Sequence, residues 1–178
     1  MRQYAEESIP LIIDECKISG VADPAQIAYI LATSEIESQC GKYMTELFDG
    51  DEYTYFENKY GYNTKIGKEQ LDNTQPGDGA KYKGRGYTQL TGRGSYQKWS
   101  DLLGIDLVMF PDKAAQPDIA KQILVKGMRD GTFTGYKLSD YINNSSQDFF
   151  NARNIVNGGL DRASEIASIA EGYFSVLT

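Results

Sequence analysis

The sequence predicts a mainly α-helical domain that carries a small irregular or β-containing insertion. Three observations support this fold class. Apolar residues recur at helical spacing up to residue 38, the pattern is lost between about residues 41 and 94, and helical patterns return from residue 95 onward. The chain has 178 residues, which suits a single domain with a core of ordinary size. We therefore assign residues 1–178 to one domain, with an irregular lobe at about 41–94.

Helix start and stop signals divide the rest of the chain. Apolar side chains share one face of residues 4–19, and Gly20 ends this first predicted helix. Asp23 and Pro24 are typical of an N-cap and of a first helical position, so a second helix is predicted over residues 25–38. Further helices are predicted at residues 95–103, 116–129, 138–142, 146–156 and 162–177.

The lobe at residues 41–94 has a different composition, rich in glycine, tyrosine, asparagine, aspartate and lysine. Residues 73–79 (NTQPGDG) form a dense turn signal, and residues 87–91 (YTQLT) are predicted as a short strand. The lobe holds most of the tyrosines of the chain, which indicates a wet surface lined by aromatic side chains. A long insertion of this kind in a compact domain is usually functional.

The absence of histidine excludes several kinds of active site. A Ser-His-Asp triad, a Cys-His dyad, a histidine-ligated zinc ion and an imidazole base are all ruled out. Any proton transfer must therefore use carboxylate, lysine, tyrosine or cysteine side chains. No metal ion or other cofactor is predicted, because the acidic cluster around Asp49 and Asp51 does not match a calcium-binding loop.

The formal charge of −7 argues against a nucleic-acid partner and against binding to an anionic membrane surface. No apolar segment of the sequence is long enough to span a membrane, and the N-terminus does not resemble a signal peptide. Cys16 and Cys40 are too few for a disulfide framework, so both are predicted to be reduced and partly buried. We expect a monomer that is made in a cytoplasm.

Two groups of carboxylates are candidates for acid–base chemistry. Glu35 and Glu37 lie near the end of the second predicted helix, and Glu37 is the nearer of the two to its buried face. Glu46, Glu52 and Glu57 follow in the irregular lobe. Each of them is also compatible with a solvated surface charge, and the residue pattern alone leaves this alternative open.

Residues 84–93 (GRGYTQLTGR), followed by Tyr96, resemble a signature of the family 19 glycoside hydrolases, which comprise plant-type chitinases and related phage endolysins. Further similar stretches follow in the family's order, at residues 30–38, 73–79, 127–135, 138–142 and 151–159. The resemblance covers about residues 25–175. Two positions depart from it, because Ile36 stands in place of a histidine and Ser95 stands where many members have asparagine.

The resemblance implies a lysozyme-like, two-lobed helical fold with a central cleft, and inverting hydrolysis of β-1,4 bonds next to N-acetylglucosamine. Glu37 falls on the family's general acid. Glu57 is the residue that we choose as the base, with Glu46 and Glu52 as alternatives. The substrate-binding positions expected from the resemblance are Glu46, Tyr87, Gln89, Thr91, Ser95, Tyr96 and Asn157. For Tyr87 and Tyr96, packing between the lobes is an equal alternative to stacking on sugars.

The function that this resemblance implies is that of an endolysin, which cleaves bacterial peptidoglycan and lyses the host cell wall. Such an enzyme would reach the wall from the host cytoplasm through a holin-made membrane lesion, without a signal peptide. One alternative is a chitinase that acts on N-acetylglucosamine polymers. Another is a non-catalytic glycan-binding or virion protein of the same fold, which the unsettled base and Ser95 leave open.

The net charge leads to a testable expectation for an endolysin. Bacterial cell walls are anionic, so a protein of charge −7 is repelled from them at long range. We expect lysis to become faster in moderate salt, because screening weakens this repulsion. The measurement is the rate of cell lysis between about 10 and about 150 mM salt, and a monotonic fall over this range would contradict the expectation.

Overall fold

The computed structural model describes residues 2–178 and is mainly helical, which confirms the predicted fold class. In chain order the α-helices are α1 (Arg2–Ile18), α2 (Pro24–Ser38), α3 (Glu52–Tyr60), α4 (Lys65–Glu69), α5 (Asp78–Lys81), α6 (Arg93–Leu103), α7 (Pro117–Asp130), α8 (Leu138–Tyr141) and α9 (Ala163–Leu177). Strands β1 (Ile142–Asn143) and β2 (Ser146–Gln147) pair antiparallel, and 3-10 helices span Pro111–Ala115 and Asn151–Ile155.

Helix α2 is the centre of the larger hydrophobic core. It begins as predicted, since the Asp23 carboxylate accepts a hydrogen bond from the Ala25 N–H at 2.8 Å and Pro24 occupies the first turn. Nine of its fifteen residues are buried, and α9 is its main packing partner. Buried hydroxyl groups in its second half donate to carbonyl oxygens one turn back, so the helix can be enclosed without unpaired donors there.

Helix α7 connects two hydrophobic clusters. One set of its side chains packs with α1, α2, α8 and α9 in the larger cluster, namely Ala120, Leu124, Val125 and Met128. Ile119 and Ile123 of the same helix join a smaller cluster, whose large side chains include Tyr82, Tyr96 and Trp99. The two clusters are therefore the cores of two lobes that share one helix.

The lobe at residues 41–94 is more helical than the sequence predicts, because it contains α3, α4 and α5. Asp51 is the N-cap of helix α3, and its carboxylate accepts a hydrogen bond from the Thr54 N–H at 3.1 Å. Phe56 is the only buried residue among its nine. A helix that buries one side chain has no apolar periodicity, which is why the pattern did not predict it.

Two other predictions of local structure are wrong. Residues 87–91 are not a strand, because Gly86 and Gln89 adopt φ angles of +83° and +53° and fold the chain into a tight turn. Two backbone hydrogen bonds of 3.0 and 2.7 Å between Arg85 and Leu90 close this turn. Residues 146–156 are not one helix but strand β2, a turn and a 3-10 helix.

Both cysteines are buried and unpaired, as predicted. Burial, together with the neighbouring Glu15 carboxylate, raises the pKa of the Cys16 thiol to about 12. Among residues 2–178, the structure contains no helix with the length and apolar character needed to cross a membrane.

An ion pair with a buried carboxylate attaches the start of α5 to the start of α6. Asp78 is 2% exposed, and its carboxylate accepts hydrogen bonds from Arg93 Nε at 2.8 Å and Nη2 at 2.6 Å. The backbone N–H groups of Thr74 and Gln75 donate to the same carboxylate at 2.8 and 3.0 Å. Burial alone would raise the pKa of Asp78, but these hydrogen bonds outweigh it and hold the pKa below its usual value.

We expect Arg93→Ala to lower the free energy of unfolding by about 3 kcal/mol, because it leaves a buried carboxylate without its cation. Arg2→Ala is the control, since it removes the exposed Arg2–Glu6 pair of 3.1 Å and should cost at most about 1 kcal/mol. Urea denaturation at neutral pH measures both losses, and equal losses would contradict the prediction.

The same pair predicts a pH dependence. Because the folded pKa of Asp78 lies below its unfolded value, its stabilisation is complete above the unfolded pKa and is lost as the pH falls through the folded pKa. The difference in stability between wild type and Arg93→Ala should therefore shrink below about pH 4.

Candidate active site

The last turn of α2 carries Glu37, the predicted general acid. Its side chain is 20% exposed, and its Oε1 accepts a hydrogen bond from Arg153 Nη1 at 2.6 Å. The Arg153 side chain is 6% exposed, and its Nε donates to the Asp161 carbonyl oxygen at 2.9 Å, so the guanidinium is held from two sides. Within residues 2–178, Glu37 Oε2 accepts no hydrogen bond, so the guanidinium engages only one of the two carboxylate oxygens.

The chain leaves α2 through three successive residues in the left-handed region. The φ angles are +51° at Gln39, +55° at Cys40 and +89° at Gly41. This conformation costs roughly 1–2 kcal/mol for each residue that has a side chain, so the surroundings must stabilise it. The Cys40 side chain is buried, which anchors the middle of this segment in the protein interior.

Ser38 holds this left-handed segment. Its Oγ donates to the Ser34 carbonyl oxygen at 2.9 Å and accepts from the Gly41 N–H at 3.1 Å. Its own carbonyl oxygen accepts from the Tyr43 N–H at 3.0 Å. The residue next to Glu37 therefore determines the direction in which the chain continues toward Glu46.

Glu46 lies at the other end of this segment and is held by several donors. Its Oε1 pairs with Lys59 Nζ at 2.8 Å, the Tyr60 hydroxyl lies 3.2 Å from the same oxygen, and the Gly84 N–H donates to Oε2 at 3.2 Å. Burial alone would lower the pKa of Lys59, but its hydrogen bonds to Glu46 and Tyr60 outweigh this and raise the pKa. Lys59 is therefore a permanent cation beside Glu46.

Gln89 and Thr91 lie beside Glu46, although the expected strand is absent. A side-chain carbon built at Gly84 would lie 2.7 Å from Gln89 Oε1, 3.1 Å from Glu46 Oε2 and 3.4 Å from Thr91 Oγ1. Oxygen atoms of three predicted site residues therefore surround one glycine. A larger residue at this position would displace them.

Hydrogen bonds to and from the backbone attach the segment after Glu37 to the turn at residues 84–90. Gln89 Nε2 donates to the Tyr43 carbonyl oxygen at 2.9 Å, and the Gly86 N–H donates to the Met44 carbonyl oxygen at 2.9 Å. The Glu46 N–H donates to the Gly84 carbonyl oxygen at 2.8 Å. Glu37 and Glu46 are thus the two ends of one hydrogen-bonded segment that lies along this turn.

Glu57, our first choice for the base, has its carboxylate engaged elsewhere. Oε1 accepts from the Ala80 N–H at 3.0 Å, and Oε2 accepts from the Gly77 N–H at 3.1 Å. This carboxylate therefore fastens the start of α5 to α3. Glu52, another alternative, forms an ion pair with Lys83. Glu46 is also held by an ion pair and a backbone N–H group, but it differs from both in lying beside Gln89 and Thr91, two other predicted site residues.

Tyr87 and Tyr96 are packing residues, which corrects their predicted role in sugar binding. Tyr87 is 1% exposed and donates its hydroxyl to Ser8 Oγ at 2.9 Å. Tyr96 is completely buried, its hydroxyl donates to the Lys83 carbonyl oxygen at 2.9 Å, and burial raises its pKa to about 12. Neither ring has a face that a sugar could reach.

Ser95 and Asn157 lie in different places. Ser95 is on α6 and lines a cavity of about 230 Å³ together with Asp72 and Lys98, a cavity whose lining contains neither Glu37 nor Glu46. Asn157 is exposed, and its N–H donates to the Arg153 carbonyl oxygen at 3.2 Å, one turn from the guanidinium that holds Glu37. Asn157 is thus connected to Glu37 through Arg153.

Three residues of this site were not predicted from the sequence. Arg153 lies within residues 151–159, one of the stretches similar to the family 19 hydrolases, so this similarity could have indicated it as a site residue. Lys59 and Tyr60 lie at the end of α3, and their relation to Glu46 depends on a helix that the sequence pattern did not indicate.

The fold is that of the family 19 chitinases, which confirms the resemblance at the level of the fold. A crystal structure of chitinase C from Streptomyces griseus HUT6037 aligns with a TM-score of 0.63 and 19% identity, over 95% of this chain and 81% of that chain. A mutant of chitinase C aligns with a TM-score of 0.57 and 21% identity, over 93% and 73% of the two chains. A bacterial family 19 chitinase aligns with a TM-score of 0.62 and 17% identity, over 96% and 85%. No protein-family model and no curated protein matches the sequence.

Proposed function

We propose that the protein is a glycoside hydrolase that cleaves β-1,4 bonds next to N-acetylglucosamine with inversion of configuration. The pair Glu37 and Glu46 carries this proposal, because both carboxylates are partly exposed and lie at the two ends of one segment. Two opposed carboxylates suffice for inverting hydrolysis, so the reaction needs no histidine. The shared fold with family 19 chitinases supports the same reaction class.

In the proposed reaction Glu37 is the general acid. Its carboxyl group transfers a proton from Oε2 to the glycosidic oxygen as the bond between that oxygen and the anomeric carbon breaks. The hydrogen bond from Arg153 to Oε1 fixes the orientation of the carboxyl group. The same guanidinium would stabilise the carboxylate that remains after the transfer.

Glu46 is the proposed base. It would accept a proton from a water molecule that attacks the anomeric carbon from the opposite face of the sugar, which requires the two carboxyl groups to be about 6.5–9.5 Å apart. Lys59 and the Gly84 N–H hold the Glu46 carboxylate, and the side-chain oxygens of Gln89 and Thr91 would orient the water or a sugar hydroxyl.

The choice of Glu46 in place of Glu57 is testable by a pair of matched substitutions. Glu46→Gln should lower turnover by about 10²-fold or more, because the amide cannot accept the proton from water. Glu57→Gln should reduce turnover far less, since its carboxylate contacts only backbone N–H groups in the structure. Circular dichroism checks that both variants are folded. A folded Glu57→Gln variant without activity, beside an active Glu46→Gln variant, would return the role of base to Glu57.

Peptidoglycan is the substrate that we propose first, because the sequence resembles phage endolysins as well as chitinases. In that setting the protein would act as a monomer and reach the wall of a phage-infected bacterium from the cytoplasm through a membrane lesion. Chitin is the alternative substrate, and the names of the similar structures favour it.

The substrate is tested with purified peptidoglycan and colloidal chitin in parallel. New reducing ends are identified by mass spectrometry, with Glu37→Gln as the inactive control. Cleavage of peptidoglycan that is lost in Glu37→Gln supports the endolysin, and cleavage of chitin alone supports the chitinase. Binding of either polymer without cleavage would contradict the proposed enzyme and support a non-catalytic glycan-binding protein.

A further inference from the structure

Exposed apolar side chains are concentrated directly after Glu46. Leu47 is 73% exposed, Phe48 is 41% exposed and Tyr53 is 57% exposed. The Phe48 ring stacks on Tyr55, with ring centroids 3.9 Å apart and an angle of 2° between the planes. One face of Phe48 is therefore covered by Tyr55, and the side chain as a whole remains 41% exposed. We call Phe48 and Tyr55 the aromatic platform.

The platform is held in place before any ligand arrives. Gly50 has a φ of +144°, and a side-chain carbon there would lie 3.0 Å from the Phe48 ring, so the turn after Phe48 fits closely against it. Tyr55 also contacts the fully buried Phe56 edge to face, with centroids 5.1 Å apart. The exposed rings are thus attached to the hydrophobic interior through α3, and little side-chain entropy would be lost on binding.

The platform is continuous with the proposed catalytic base. Lys59 Nζ lies 2.8 Å from Glu46 Oε1 and 5.6 Å from the centroid of the Tyr55 ring. One lysine therefore contacts both the carboxylate and the rear ring of the platform. A polymer that reached Glu46 would have its next units close to Phe48.

We infer that the exposed part of the Phe48 ring stacks on a pyranose ring of the polysaccharide, a step that rests on the proposed function. An aromatic face carries partial negative charge, which suits the C–H groups on the flat side of a sugar. Asp49 and Asp51 flank the platform and would repel an anionic lipid surface or a nucleic acid. An uncharged sugar ring meets no such repulsion.

The test measures binding to insoluble peptidoglycan and to colloidal chitin in the Glu37→Gln background, so that the polymer stays intact. Phe48→Ala and Phe48→Leu should each weaken binding by about 5- to 10-fold, which corresponds to one lost aromatic contact. Phe48→Trp should retain binding, since it keeps a flat ring. Phe110→Ala is the matched control, because Phe110 is 54% exposed and does not belong to the platform.

The outcomes separate this inference from the proposed function. If the polymer is cleaved by the wild type but Phe48→Leu binds as tightly as its parent, the stacking contact is excluded and the hydrolase remains. If Phe110→Ala weakens binding as much as Phe48→Ala, the loss of binding reflects any exposed apolar side chain, and a specific role of the platform is excluded. A dimer that sedimentation detects and Phe48→Ala abolishes would also overturn the inference. If the wild type neither binds nor cleaves either polymer, the proposed function itself fails.

Discussion

The left-handed segment Gln39–Gly41 is the constraint on which the candidate site depends. Two of its three residues carry side chains and are disfavoured in this conformation, so the segment persists only because other contacts hold it. Ser38 supplies two of those contacts through its hydroxyl group, and the burial of Cys40 supplies another. The result is an abrupt end to α2 just after Glu37, with the following residues turned back along residues 84–90. A regular continuation of α2 would carry Glu46 away from that turn.

Arginine side chains hold the irregular parts of the chain in place. Arg85 is 5% exposed and donates from Nη1 to the Lys81 carbonyl oxygen and to the Tyr96 hydroxyl, both at 2.9 Å. Arg93 pairs with the Asp78 carboxylate at the start of α5, and Arg153 holds both the Glu37 carboxylate and the Asp161 carbonyl oxygen. The planar guanidinium group offers several donors in fixed directions, so one side chain can satisfy loop carbonyls that no helix or sheet pairs. This explains how a lobe with few buried apolar residues keeps a defined shape.

The helices could be predicted from the sequence where caps and apolar spacing agreed, and the site could be predicted only in part. Asp23 and Pro24 identified the start of α2 because they act locally. Helix α3 buries only Phe56, so its sequence shows no apolar periodicity from which a helix could be predicted. Glu57 and Glu46 are equivalent as residue types, and only the fold shows that the first fastens α5 to α3 whereas the second lies beside Gln89 and Thr91. Whether a carboxylate is available for chemistry depends on long-range contacts, which spacing along the chain does not encode.

In the tyrosine-rich lobe, composition predicts that aromatic rings are exposed but does not predict which of them are. Its composition indicates an aromatic surface, but the rings next to the sequence signature, Tyr87 and Tyr96, are buried and hold that segment in place. The exposed rings lie instead on α3 and the turn before it.

The carboxylates near the site also differ in whether a cation pairs with them. Glu37, Glu46 and Glu52 are each paired with a cation, whereas Asp49 and Asp51 beside the platform have no salt bridge within residues 2–178. Unpaired negative charge therefore lies beside the platform, whereas each carboxylate of the proposed site is balanced by a cation, which disfavours anionic groups at the platform itself.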